Sequence, residues 1–421
     1  MQVSRKNIVT IIFLFTIIGL LWSRALLSIT TGLWIVLAVV YIYKKQLSIK
    51  YEPLLIWSFS AVALWLPGLW QAPYANANYD LLLTWLAYPA IALGAMVIRA
   101  CGAASVCLKI WIYGAAIAAL YPLCWLLLHI TNALTLIKTG KAIPVFMDND
   151  HLRFSIYLSA ALLLSFILEN KKIKRVLILF FISTILLLSV RTGIVMAVVV
   201  LIGQLLNRWN VGTSERRNVG TSERRNVGTS ERRNVGTSER RNVWSTTQRP
   251  PIVYGLWSIV LLLSILLLYQ KINYTLYDYQ QFNTKGYDAN YSDGVRRAIN
   301  KASIKAIENN FIGGVGWNNI KPTIQQYFYQ QYLQAPPFGW PFSQYLFWLL
   351  GAGIIGLLCA AAWLLFPLWV GWLIKQKEWM IWSIAIAVSC LVESNLSYQF
   401  GITLHAWPLW LATINNQRSN I

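Results

Sequence analysis

VLILFFISTILLLSVRTGIVMAVVVLIGQLL, residues 176–206, carries a single charge, Arg191, near its centre. One continuous helix of this length would hold a guanidinium at mid-membrane depth, at a cost of roughly 2.5 kcal/mol or more. Two short spans, at about 176–189 and 193–206, avoid that cost by turning at Ser189-Val190-Arg191-Thr192-Gly193. The turn presents Arg191 to something negative: an anionic ligand, or a carboxylate of a neighbouring helix such as Glu393.

The rest of the chain follows the same apolar pattern. Hydrophobic residues make up 57% of the 421 and charged residues 12%, with a mean hydropathy of +0.51, outside the ordinary soluble range. The net charge of +21 sits mainly in short loops between apolar runs, a positive-inside distribution that argues against nucleic acid as a partner and for membrane lipids. Cys101, Cys107, Cys124, Cys359 and Cys390 lie in or beside apolar runs without metal-type spacing, so neither disulfides nor a metal site are expected. No small-residue cleavage site follows the apolar residues 8–22, which read as a first span rather than a signal peptide.

The fold class expected is an all-α polytopic membrane protein with about twelve spans. Residues 1–209 hold eight of them, at about 8–22, 26–43, 53–71, 80–98, 106–129, 154–168, 176–189 and 193–206. Residues 210–251 form a cytoplasmic loop in which NVGTSERR occurs four times, a low-complexity array expected to be disordered. A ninth span at about 252–269 leads to a long polar external loop, 270–341, and residues 342–421 supply the last three spans. The loop's many Tyr, Gln and Asn residues suit either sugar recognition or a headgroup interface.

Within that loop, residues 292–318, SDGVRRAINKASIKAIENNFIGGVGWN, have helical periodicity. Val295, Ile299, Ala302 and Ala306 form an apolar stripe and Arg297, Lys301 and Lys305 a basic one, with Arg296 between. Ser292 and Asp293 are expected to cap the helix. Gly313, Gly314 and Gly316 end it in a turn whose backbone can approach a ligand. The helix either offers cations to a bound anion or lies on a membrane surface with its lysines solvated. Ahead of the sixth span, His151 and Arg153 are either part of the same site or interface anchors.

These motifs together resemble the O-antigen ligase and O-antigen polymerase family, bacterial membrane glycosyltransferases that move a glycan from a lipid diphosphate carrier. Ser189-Val190-Arg191-Thr192-Gly193 is similar to the family's Ser-Arg turn. Arg296, with Gly314-Val315-Gly316 eighteen residues beyond it, is similar to the arginine and Gly-x-Gly of the family's loop helix. Leu346 and Gly353-Ile354-Ile355-Gly356 are similar to the segment that follows.

The resemblance implies an inner-membrane enzyme with both ends cytoplasmic and its site facing the periplasm. The donor would be an undecaprenyl diphosphate-linked glycan and the acceptor a glycan or lipid A core, with no metal or cofactor. Arg191 and Arg296 would be catalytic, holding the diphosphate, with Arg153, Arg297, Lys301, Gly314 and Gly316 binding substrate. The family's histidine falls on Phe342, so His151 is the substitute by topology, ahead of His129, His405, Tyr345 and Asp293. A ligase acting on lipid A core is expected first. A polymerase of repeat units and a non-enzymatic transporter or flippase of a lipid-linked glycan are the alternatives.

The topology has a direct check. A cysteine introduced at Ser292 reacts with a membrane-impermeant maleimide applied to intact cells, and one at Ser222 does not; the opposite pattern would invert the map.

Overall fold

The structure, a computed structural model, describes residues 4–47, 52–69, 79–138, 143–147, 150–188, 190–222, 269, 272–284, 286–289 and 291–416. The expected span at 252–269, apart from Tyr269, lies outside them, as does Ser189. Among the described residues every regular element is a helix. In chain order they are α1 (Arg5–Trp22), α2 (Arg24–Tyr43), α3 (Pro53–Ser60), which continues as a 3-10 helix over Ala61–Leu69, α4 (Tyr79–Trp85), α5 (Ala87–Ala100), α6 (Ala104–Leu128) and α7 (Ile130–Lys138). There follow α8 (His151–Ser165), α9 (Lys171–Leu188), α10 (Arg191–Ser222), α11 (272–284), α12 (Ser292–Asn309), α13 (Ile320–Tyr332), α14 (Gln344–Leu373), α15 (Lys377–Val392) and α16 (Gln399–Asn416).

Five candidate spans among these residues are long and apolar enough to cross a membrane: α1, α2, the α4–α5 unit Asp80–Ala100, α6 and α14. Of three shorter apolar helices, Pro53–Leu69 and His151–Ser165 pack against these spans, and Arg191–Leu206 packs against α8 and α15. Burial sorts the helices into an inner and an outer set. Residues 401–414 of α16 and Phe154–Ser165 of α8 are buried on every side, as helices at the centre of a bundle must be. By contrast α1, α2, α6 and α14 turn large apolar side chains outward, including Ile29, Val36, Ile117, Leu127, Leu358 and Trp372. Apolar surface on that scale suits hydrocarbon rather than water.

Small residues set the inner contacts. Gly193 brings α10 onto α8 so closely that a Cβ there would fall 2.4 Å from the Ser155 Cβ, and the Ser159 hydroxyl donates to the Gly193 carbonyl at 3.3 Å. The glycine of the sequence turn is therefore a packing residue. The Trp57 and Trp363 rings stack at 5.1 Å, and each indole N–H donates to the other residue's carbonyl at 2.9 Å, joining α3 to α14 with no polar group left over.

Helix α14 is broken at Gly353, whose backbone (φ 67°, ψ −166°) is open essentially to glycine alone. The break releases carbonyls that a continuous helix would use internally. The polar loop uses them instead. Val315 N–H donates to Leu350 O at 2.7 Å, Gly316 N–H to Gly351 O at 2.9 Å, and Ile354 N–H to Phe311 O at 2.9 Å. Trp317 follows them in, donating its indole N–H to Trp65 O at 2.7 Å and stacking on Phe347.

Three expectations are corrected here. The turn at Gly314 and Gly316 approaches α14 rather than a ligand: a Cβ on Gly314 would lie 2.5 Å from Gly353 N. Helix α10 does not stop at 206 but runs to Ser222, through the first NVGTSERR copy and into the second, because extending a formed helix is far cheaper than nucleating one. The α12 cap is neither Ser292 nor Asp293. Asp278 of α11, buried, accepts the Asp293 N–H at 3.0 Å and the Gly294 N–H at 3.2 Å, which satisfies α12's first donors from outside the helix.

The α14 break supplies the fold's sharpest test. Gly353→Ala puts a Cβ 2.0 Å from Ile312 O in a backbone region alanine avoids, and is expected to cost about 2 kcal/mol or more. Thermal unfolding in detergent will report a lowered midpoint, whereas Ile355→Ala, on the outward face, will match wild type within error.

Candidate functional site

Helix α12 is the platform of the site, and its stripe is as the periodicity requires. Val295, Ile299, Ala302 and Ala306 are buried, while Lys301 and Lys305 are exposed on the far side. Arg297 points to α11, its guanidinium 3.7 Å from the Tyr279 ring centre. Its contact ties the two loop helices together and uses the face that an anion would otherwise meet. Burial pushes the Asp278 carboxyl above its usual range and the Asp293 charge adds to this, opposed by the two amide donors and by Arg191.

Arg191 opens α10, where the positive end of the helix dipole disfavours a cation. Its Nη2 donates to Asp293 Oδ2 at 2.5 Å and Thr275 Oγ1 at 2.7 Å, and the side chain is half exposed. The carboxylate that meets Arg191 is thus Asp293, on α12, and not Glu393. The pair links the bundle to both loop helices.

Arg296 lies on the next turn of α12 and faces inward. Its Nη1 donates to Glu393 Oε1, and its guanidinium sits 4.8 Å above the Phe342 ring centre. Phe342 is fixed from the same helix, because its N–H donates to Asn300 Oδ1 at 2.8 Å. Glu393 ends α15, and the segment after it is held by buried Gln344, whose Oε1 accepts the Leu396 N–H at 2.9 Å. Phe342 therefore supports Arg296 and offers no proton acceptor.

Arg153, in the first turn of α8, comes from the other side. Asp150 caps this helix, its Oδ1 accepting the Arg153 N–H at 3.0 Å and its Oδ2 the Arg153 Nε–H at 3.0 Å. The guanidinium lies over Tyr398 and Phe400, 4.7 and 5.3 Å from their ring centres. Arg153 and Arg296 line one cavity of about 260 Å³ together with Asp150, Glu393, Phe342, Tyr398, Phe338 and Trp340. Two guanidiniums and two carboxylates make the resting cavity electrically balanced. An incoming anion must displace a carboxylate from at least one arginine, and the guanidinium fork can grip phosphate as it grips carboxylate.

The remaining sequence candidates fall elsewhere. His151, half-buried in the same helical turn as Arg153, does not line the cavity. His129 is exposed and stacked on Trp125. His405 is buried against Tyr88, whose hydroxyl lies 2.9 Å from its Nδ1. Tyr345 donates its hydroxyl to Ala387 O at 3.0 Å. Two tyrosines of the loop, Tyr287 and Tyr332, form a small core of its own with Phe328, while the aromatic wall of the cavity comes from residues 338–342, FGWPF, and from Tyr398. Sequence reading passed over Glu393 except as an ion-pair partner, and its one available signal was an acidic residue beside an apolar run. No group of three or more His, Cys, Asp or Glu among the described residues is arranged to hold a metal ion. No protein-family model matches the chain, and no curated protein matches it in sequence.

Proposed function

We propose that the protein is a membrane glycosyltransferase of the O-antigen ligase or polymerase type, with about twelve spans. It moves a glycan from an undecaprenyl diphosphate carrier to an acceptor such as lipid A core at the periplasmic face of the bacterial inner membrane. The observation that carries the reading is the convergence of Arg153 and Arg296, from α8 and α12, on one aromatic-walled cavity. Breaking a sugar–diphosphate bond places negative charge on the leaving group, and fixed guanidiniums stabilise that charge best because they stay protonated and bind phosphate in pairs of hydrogen bonds. Aromatic faces beside them suit the faces of sugar rings.

On this reading Arg296 and Arg153 share the diphosphate. Arg191 acts one step back, holding α12 in place through Asp293. Lys301 and Lys305, on the exposed face, serve solvent or lipid headgroups. A transporter reading draws on interrupted helices, whose freed backbone groups bind substrate in such proteins. Here the break in α14 is filled by residues 311–316, which leaves its carbonyls occupied.

Transfer from isolated lipid-linked glycan to acceptor, at matched protein amounts, tests the assignment. Arg153→Ala and Arg296→Ala are each expected to lower the rate by about 100-fold or more, and the double variant little further, since groups acting as a unit are not additive. Lysine at either position will restore little, because a point charge lacks the fork. Arg297→Ala is expected to stay within about tenfold of wild type, by the smaller worth of one exposed cation–π contact. Full activity in Arg296→Ala would end the proposal.

A further inference from the structure

We propose that Glu393 is the general base that deprotonates the acceptor hydroxyl, and that the donor itself unmasks it by drawing Arg296 away. The inference rests on the cavity being the transfer site, and it supplies the proton acceptor that Phe342 cannot.

The two carboxylates of the cavity differ in what they are free to do. Asp150 has both oxygens engaged by Arg153, one on the backbone amide and one on Nε, so moving it would uncap α8. Glu393 meets Arg296 Nη1 through Oε1, and no contact to its Oε2 is seen among the described residues. The side chain is only 13% exposed, yet it lines the cavity. The charged and titratable groups around it are Arg296 from α12, Asp150 and Arg153 from the start of α8, and Tyr398 just ahead of α16. Tyr398, a phenol lying against Arg153, is protonated near neutral pH and is no competitor as a base.

At rest burial pushes the Glu393 carboxyl above its usual range, and the paired Arg296 guanidinium opposes that rise and occupies the carboxylate. A diphosphate entering the cavity competes for that same guanidinium, and as Arg296 turns to phosphate, Glu393 loses its counter-charge without leaving its sheltered position. A carboxylate so treated gains proton affinity, and its basicity rises toward the range useful near neutral pH. The step then balances within the cavity. Glu393 Oε2 takes the proton of the acceptor hydroxyl, and the oxygen's electron pair forms the new bond to the anomeric carbon. The bond from that carbon to the diphosphate oxygen breaks, and its electron pair leaves on the diphosphate between Arg153 and Arg296. Glu393 returns its proton to water when the product departs. Coupling the base to donor binding also means that acceptor hydroxyls, and water, meet an inactive carboxylate while the donor is absent.

Glu393→Gln separates the base from its neighbours, with undecaprenyl diphosphate as the binding probe and lipid-linked glycan transfer as the activity. Binding of the probe is expected to be unchanged or tighter, because Arg296 is released from a charged partner. Transfer is expected to fall by about 100-fold or more, the usual span for removing a general base, and the acidic limb of the kcat–pH profile to vanish with it. Glu393→Asp retains the limb at a reduced rate and guards against a misfolded Gln variant, and added formate partly restores Glu393→Ala. Transfer by Glu393→Gln within about threefold of wild type would overturn the assignment, on the scale set for such groups. Loss of probe binding in a folded Glu393→Gln would overturn it too, assigning the carboxylate a positioning role for Arg296. Wild-type protein that fails to bind the probe at all, or Arg296→Ala that binds it undiminished, would remove the transfer site itself and is distinct from either result.

Discussion

The exchange of backbone hydrogen bonds at the break in α14 is the constraint on which the site depends. A broken helix inside a bundle leaves carbonyls that must be satisfied, and in hydrocarbon each unsatisfied group costs several kcal/mol. Residues 311–316 supply the missing donors, and Gly314 and Gly353 permit two backbones to meet where side chains would collide. This fixes the C-terminal end of α12 to the bundle. Asp278 caps its other end and the Arg191–Asp293 pair tethers it there, so a polar helix is held at both ends against an apolar body.

Once α12 is fixed, the cavity follows from it. Arg296 and Asn300, one turn apart, grip Phe342 from above and beside, and Phe342 begins the segment that enters α14. Buried Gln344 then orders residues 395–397, which sets Glu393 opposite Arg296. Arg153 is placed independently by the Asp150 cap and the rings of Tyr398 and Phe400. The result is a pair of guanidiniums each held by a carboxylate and an aromatic face. Such an arrangement keeps arginines ordered at the edge of an apolar bundle without leaving charge unpaired, and it makes the site responsive to an anion that competes for them.

Local pattern made much of this legible. The 3.6-residue period of residues 292–318 gave the buried face of α12, and apolar runs gave the positions of α1, α2, α6 and α14. The Gly-rich turns were visible as well, although their purpose was packing. What the sequence could not display were partners distant along the chain: Glu393 lies 97 residues from Arg296, and Asp278 caps α12 from another helix. Acidic residues near apolar runs carry no mark of which cation they will meet. Extension of α10 to Ser222 was hidden by a repeat whose composition resembles a disordered linker, since helix propagation from an existing end is a property of the junction rather than of the repeat.

On the proposed function, Arg153 and Arg296 close on one diphosphate while Glu393 gives up Arg296. A cryo-electron microscopy structure of the protein in lipid nanodiscs with undecaprenyl diphosphate addresses it directly. Phosphate density within hydrogen-bonding distance of both guanidiniums, with the Arg296–Glu393 pair opened, is the expected result. Density for the diphosphate elsewhere on the protein, or in the cavity with that pair intact, would contradict it.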